Sequence, residues 1–134
     1  MTPEILVLDA SVGVKWLRKE SGSDQARALL ADHAGGAVRL IVPVIFVHEV
    51  LDVARRLYGV GRARDLWHHL ERDEITVVGL DSQLTLATLD IAEELGCTFY
   101  DAAAPALAAR IGATLVSADR RAHGSVDRVR LLGR

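Results

Sequence analysis

Four acidic residues stand where chemistry could use them: Asp9 behind the apolar run "ILVL", Glu49 in "VHEVL", Asp101 in "FYDAA" and Asp119 in "SADRR". A carboxylate that ends an apolar strand is either a cap for the next turn or a group that the strand exists to hold. Singly, each has a plain reading. Asp9 and Asp101 can be helix caps, Glu49 a helix-surface residue and Asp119 a turn residue. Together they raise an electrostatic problem. Two carboxylates about 4 Å apart repel by roughly 4 kcal/mol at an effective dielectric near 20, so a group of four needs protons or cations. Oxygen-rich sites of this kind select Mg2+ or Mn2+.

Strand and helix signals alternate along the chain. "EILVLD" is a continuous apolar run of the sort buried on both faces of a parallel sheet. Ser11 caps a short helix to about Arg18, and "SGSDQARALLADHAGG" is a second helix closed by Gly35 and Gly36. "VRLIV" is a strand ended by Pro43. Val47, Val50, Leu51, Ala54, Leu57 and Tyr58 then recur at helical steps on one face, "GVG" breaks the run, and a polar helix covers Arg62 to Arg72. "ITVVGL" is a strand, "DSQLTLATLDIAEELG" a helix capped by Asp81 or Ser82, and "DAAAPALAARIG" an alanine-rich helix. "TLVS" and "VRLLG" are the last two strands. Repeated strand–helix alternation predicts crossover connections and a three-layer α/β/α sandwich around a mostly parallel sheet, in one domain over residues 1–134.

That architecture gives the acidic residues a common address. Ligands of open α/β sheets bind outside the carboxyl ends of the strands. Asp9 ends the first strand, and Asp119 lies two residues beyond "TLVS". Asp101 opens the alanine-rich helix, and Glu49 stands six residues past Pro43, at the border of its helix's apolar face. The four are expected to meet at one edge of the sheet.

Composition sets bounds. The chain has 134 residues, half of them hydrophobic but only six aromatic, so its core must be aliphatic. A single cysteine, Cys97, precludes an internal disulfide and suits a reducing cytoplasm. No signal-peptide pattern opens the sequence, and "LIVPVIFV" is too short to span a bilayer. The net charge of −2 argues mildly against a general nucleic-acid binder. Most of the basic residues, however, are Arg, the side chain best shaped for phosphate. If four acids hold cations, the remainder carries a small positive excess.

Other motifs fall short. "HEVLD" has Asp52 where a zinc hydrolase needs its second His, and "DASVG" has Asp9 where a serine nucleophile elbow needs Gly. "YGVGRAR" follows a helix and lacks the third glycine of a dinucleotide fingerprint. A dehalogenase-like phosphatase needs a second Asp where Ser11 stands.

The whole chain resembles the PIN-domain ribonucleases, most closely the VapC-type toxins of toxin–antitoxin pairs. The resemblance rests on "LVLDASVGVKWL", "VPVIFVHEVLDVARR", "TFYDAAAPALAARIGATLVSADRR" and "VRLLG". It implies an Mg2+- or Mn2+-dependent endoribonuclease that hydrolyses RNA by metal-activated water, leaving 5′-phosphate and 3′-hydroxyl ends. Asp9, Glu49, Asp101 and Asp119 carry over as ligands of one or two cations. Ser11 and Ser117 match the hydroxyls that support such ligands. Lys15, Arg18, Arg120 and Arg121 are candidate phosphate contacts, by their nearness in sequence to the acidic positions. The resemblance further implies a cognate antitoxin and a homodimer, for which the helix pair from Val44 to Arg72 is a plausible surface. The alternative is an inactive PIN-fold module that binds RNA or protein. The family often has a large apolar residue where this chain has Pro105, expected here in the first helical turn, where a proline costs little.

Overall fold

The computed structural model of this chain describes residues 2–133. In chain order the elements are β1 (Glu4–Leu8), α1 (Ala10–Val14), α2 (Ser23–Ala34), β2 (Val38–Pro43), α3 (Val44–Tyr58) and α4 (Val60–Arg72). They continue with β3 (Thr76–Val78), α5 (Ser82–Leu95), α6 (Phe99–Ile111), β4 (Thr114–Ser117), α7 (Arg120–His123) and β5 (Val129–Leu131). The strands form one all-parallel sheet in the order β3-β2-β1-β4-β5.

Period-two alternation builds the layers. On one face Leu6, Leu8, Leu40, Val42 and Val116 pack with Val12, Ala26, Phe46 and Val50 from α1, α2 and α3, with Leu70 of α4 in the same cluster. On the other, Val7 and Leu115 pack with Leu84 of α5 and with Ala104, Leu107 and Ala108 of α6. β1 is sealed on both sides, with Leu6, Val7 and Leu8 all 0 % exposed. The expected three-layer sandwich is what forms. The alanines of α6 serve it directly, because small side chains let this helix lie close on the sheet.

The strand order has one reversal that matters. From β1 the chain runs outward through β2 to β3, then returns to place β4 on β1's other side, in the register Leu8↔Val116. Neighbouring strands whose connections leave in opposite directions open a crevice at their carboxyl ends. Asp9 and the Ser117–Asp119 segment stand at that crevice.

Several boundaries differ from expectation. The first helix ends at Val14, with its last N–H bonds continuing as single turns through Leu17. α4 begins at Val60, since Gly59 alone, at φ 92°, breaks the helical run. β3 is only three residues long. α6 starts at Phe99, because the Thr98 hydroxyl accepts from the Asp101 N–H at 3.0 Å and so caps the helix three residues before Asp101. Pro105 therefore lies inside the helix, not in its first turn. A one-turn helix, α7, appears where a turn was expected. Among the described residues no helix is long and apolar enough to cross a membrane.

Gly13 shows how tightly α1 sits on α3. A Cβ there would lie 2.6 Å from Val50 Cγ2 and 2.7 Å from Phe46 Cζ. Alanine at an exposed helix position gains up to about 1 kcal/mol over glycine, whereas overpacking a full core costs about 1–3 kcal/mol. The second effect should win. Gly13→Ala is expected to lower the urea midpoint at unchanged m-value, a net loss of roughly 1–2 kcal/mol.

Candidate active site

β1 delivers Asp9 through a bonded strand end: the Asp9 N–H donates to the Val116 carbonyl of β4 at 3.0 Å. Its Oδ2 accepts from the Ser11 N–H at 3.0 Å, capping α1. Asp119 is held in the same way. Its Oδ1 accepts from the Ala122 N–H at 3.0 Å, capping α7, while its own N–H donates to Ser117 Oγ at 3.0 Å. Asp101 stands in the first turn of α6 and Glu49 in the second turn of α3.

Their electrostatics tie these positions together. The Glu49 carboxyl is pushed above the ordinary glutamate range, first by partial burial and then by the negative charges of Asp9 and Asp101. The Cys97 thiol is pushed up too, by burial and by Asp101, then more weakly by Asp119 and Asp9. The four predicted carboxylates thus act on one small region. Among the described residues none of the four is in a salt bridge with Lys or Arg. No three His, Cys, Asp or Glu side chains among the described residues close into a coordination sphere by themselves. The caps on Asp9 and Asp119 hold those two side chains near their own backbones. The donor set itself, all hard carboxylate oxygens, fits Mg2+ or Mn2+.

Behind the carboxylates runs a chain of buried and half-buried polar groups. Ser11 Oγ accepts from the Ala118 N–H at 3.0 Å and lies 3.5 Å from Ser117 Oγ. Ser117, 0 % exposed, bonds His123 Nδ1 at 2.6 Å, and His123 Nε2 bonds the Asp101 carbonyl at 2.6 Å. Ser11 and Ser117 are where the sequence places them, linking the carboxyl ends of β1 and β4. His123 was not anticipated. The available signal was its spacing: four residues after Asp119, one helical turn returns a side chain beneath the carboxylate.

The basic candidates divide. Arg121 lines a cavity of about 400 Å³ shared with Asp101, Asp119, Cys97 and Thr98. Arg18 and Arg120 are exposed. Lys15 is engaged elsewhere, by Glu20 at 3.4 Å and by the Ser21 carbonyl, because the chain turns back after α1.

Comparisons with known structures agree with this fold. A structure of a Mycobacterium tuberculosis VapC toxin described as cleaving the sarcin–ricin loop superposes with a TM-score of 0.75 at 14% identity, covering 95% of this chain and 98% of that one. A toxin–antitoxin complex from Klebsiella pneumoniae gives 0.73 at 13%, with coverages of 93% and 95%. A Pyrobaculum aerophilum protein gives 0.64 at 24%, with coverages of 97% and 90%. No curated protein sequence matches the chain. The family model of the PIN domain matches residues 6–129, and the chain belongs to that family.

Proposed function

We propose that this protein is a divalent-cation-dependent endoribonuclease, the toxin of a toxin–antitoxin pair. The observation that carries the reading is the gathering of acidic side chains at the carboxyl ends of β1 and β4: Asp101 and Asp119 line one cavity, and Glu49, raised first by partial burial, also feels Asp9 and Asp101. An uncompensated negative site at the switch point of a parallel sheet is built for cations and, through them, for phosphate. The similarity to VapC toxins and to toxin–antitoxin complexes supports the toxin assignment.

Asp9, Asp101 and Asp119 would hold one or two Mg2+ or Mn2+ ions, with Glu49 as a further ligand or as the group that orients the attacking water. When bound, these ions act as Lewis acids that acidify water and take up charge developing on the phosphodiester. The protein's own contribution is placement. Caps fix one oxygen of Asp9 and one of Asp119. Ser11 and Ser117 keep the β1 and β4 ends in register beneath them. Arg121, beside Asp101 and Asp119, is placed to meet a phosphate oxygen of RNA, with Arg120 and Arg18 farther along the surface and Lys15 already paired. The α3–α4 hairpin, with Leu57, Tyr58 and Val60 exposed among arginines, is the surface proposed for the antitoxin or a second copy. A cytoplasmic setting follows from the proposed RNA substrate.

Asp9→Asn and Asp101→Asn are each expected to lower RNA cleavage in Mg2+ by at least about 100-fold, and EDTA to abolish it until Mg2+ or Mn2+ is restored. Full activity in either variant rejects the assignment. Cation binding without cleavage of a broad RNA panel would instead identify a binding module.

Glu49 supplies a pH prediction. Its folded-state carboxyl lies above its unfolded value, so the folded protein binds more protons in the window between the two. Cation-free stability therefore falls as pH rises through that window. At neutral pH and in EDTA, Glu49→Gln should melt higher than the natural protein, with the difference vanishing toward acid. Matched melting curves from pH 4 to 8 decide it, and a Glu49→Gln melting point at or below the natural one at pH 7 overturns it.

A further inference from the structure

His123 and Pro105 belong together. An α-helical residue at 105 would donate its N–H to the carbonyl four residues earlier, which is that of Asp101. Proline has no N–H, and inside a helix its ring also crowds that same carbonyl. Pro105 is buried within α6, so the Asp101 carbonyl has no partner from residue 105 in its own helix. The Asp101 carbonyl nevertheless has a donor: His123 Nε2, at 2.6 Å, from a different helix.

The proton positions follow from the partners. A carbonyl only accepts, so Nε2 carries the hydrogen. Ser117 Oγ already accepts from the Asp119 N–H, and its one proton goes to its short contact, His123 Nδ1 at 2.6 Å. The Ser11 hydroxyl, which accepts from the Ala118 N–H, is left to donate toward Ser117. The ring is 0 % exposed and both its nitrogens are used. No buried side-chain nitrogen or oxygen among the described residues is left unpartnered.

We infer that His123 is a positioning residue that replaces the helix bond Pro105 removes, and thereby locks the Asp101 turn of α6 to the α7 turn that begins at Asp119. Two turns that each carry an acidic residue are joined through one imidazole, by way of the Asp101 carbonyl and the Ser117 hydroxyl. The inference rests on the reading of those carboxylates as cation ligands, and it adds a coupling between two residues that the reading does not contain. It also explains how a proline is accommodated four residues from an acidic side chain on which the site depends.

The test is a double-mutant cycle. His123→Phe keeps the ring volume and removes both hydrogen bonds; Pro105→Ala restores an N–H at position 105. Mn2+ binding to the protein alone is measured by calorimetry, and RNA cleavage is measured separately. In the Pro105 background, His123→Phe is expected to weaken Mn2+ binding by about 10–100-fold and to lower kcat with little change in KM, as losses of ligand-supporting groups do. In the Pro105→Ala background the same substitution should cost clearly less, since residue 105 then serves the carbonyl. Losses equal within about twofold in the two backgrounds, the behaviour of independent sites, overturn the inference. So does unchanged Mn2+ affinity in a folded His123→Phe. Should that variant not fold, nitrogen NMR of the natural protein decides: a slowly exchanging Nε2 proton supports the tie, and a proton resting on Nδ1 alone defeats it. Asp9→Asn serves as the control. If it leaves Mn2+ affinity intact, the cation reading itself has failed; if it abolishes affinity while His123→Phe does not, only the tie has failed.

Discussion

Negative charge held against itself is the constraint on which this structure turns. Burial and then Asp9 and Asp101 raise the Glu49 carboxyl, burial and then Asp101, with Asp119 and Asp9, raise the Cys97 thiol, and among the described residues none of the four is in a salt bridge with Lys or Arg. Such a cluster would relax outward on a soft support. Here each member is fixed by a different rigid element. Asp9 follows a strand sealed on both faces, Asp101 rides a helix packed along its alanines, and Glu49 sits on the long α3, whose Val50 and Phe46 grip Gly13. The aliphatic core is thus part of the electrostatics. Close packing resists the small displacements by which like charges would otherwise separate.

The layers, the parallel sheet and the four acidic positions were legible in the sequence because each leaves a local mark. β1 reads as buried on both faces from four consecutive apolar residues, and α3 from Val47, Val50 and Ala54 at helical spacing. Strand order was not legible. Nothing in "TLVS" says that it pairs with β1 rather than beside β3, since register and neighbour choice are decided by the packing of helices far along the chain. The start of α6 was misplaced because Asp101 looks like a cap, whereas Thr98 takes that role three residues earlier. That shift moves Pro105 from a harmless position to one where it removes a bond. The importance of His123 could not be seen without it, because the two residues are linked through a carbonyl that belongs to neither.

The plain and the chemical readings of the acidic residues need not compete. Asp9 and Asp119 are helix caps, as the plain reading has it, each with one oxygen spent on a backbone N–H. The helices they cap have five and four residues, too short for capping to contribute much stability by itself. What the caps do well is orient. Binding Oδ2 of Asp9 and Oδ1 of Asp119 fixes the plane of each carboxylate. The remaining oxygen of each has no protein donor among the described residues. A cap therefore serves here as a mount: the backbone N–H sets the direction, and the second lone-pair-bearing oxygen is available to something brought from outside. The same logic explains why the surrounding hydroxyls bond backbone groups and one another rather than the carboxylates. A serine proton given to Asp9 or Asp119 would weaken the field at the crevice. Directed instead along Ser11, Ser117 and His123 to the Asp101 carbonyl, those protons stiffen the site and leave its charge intact.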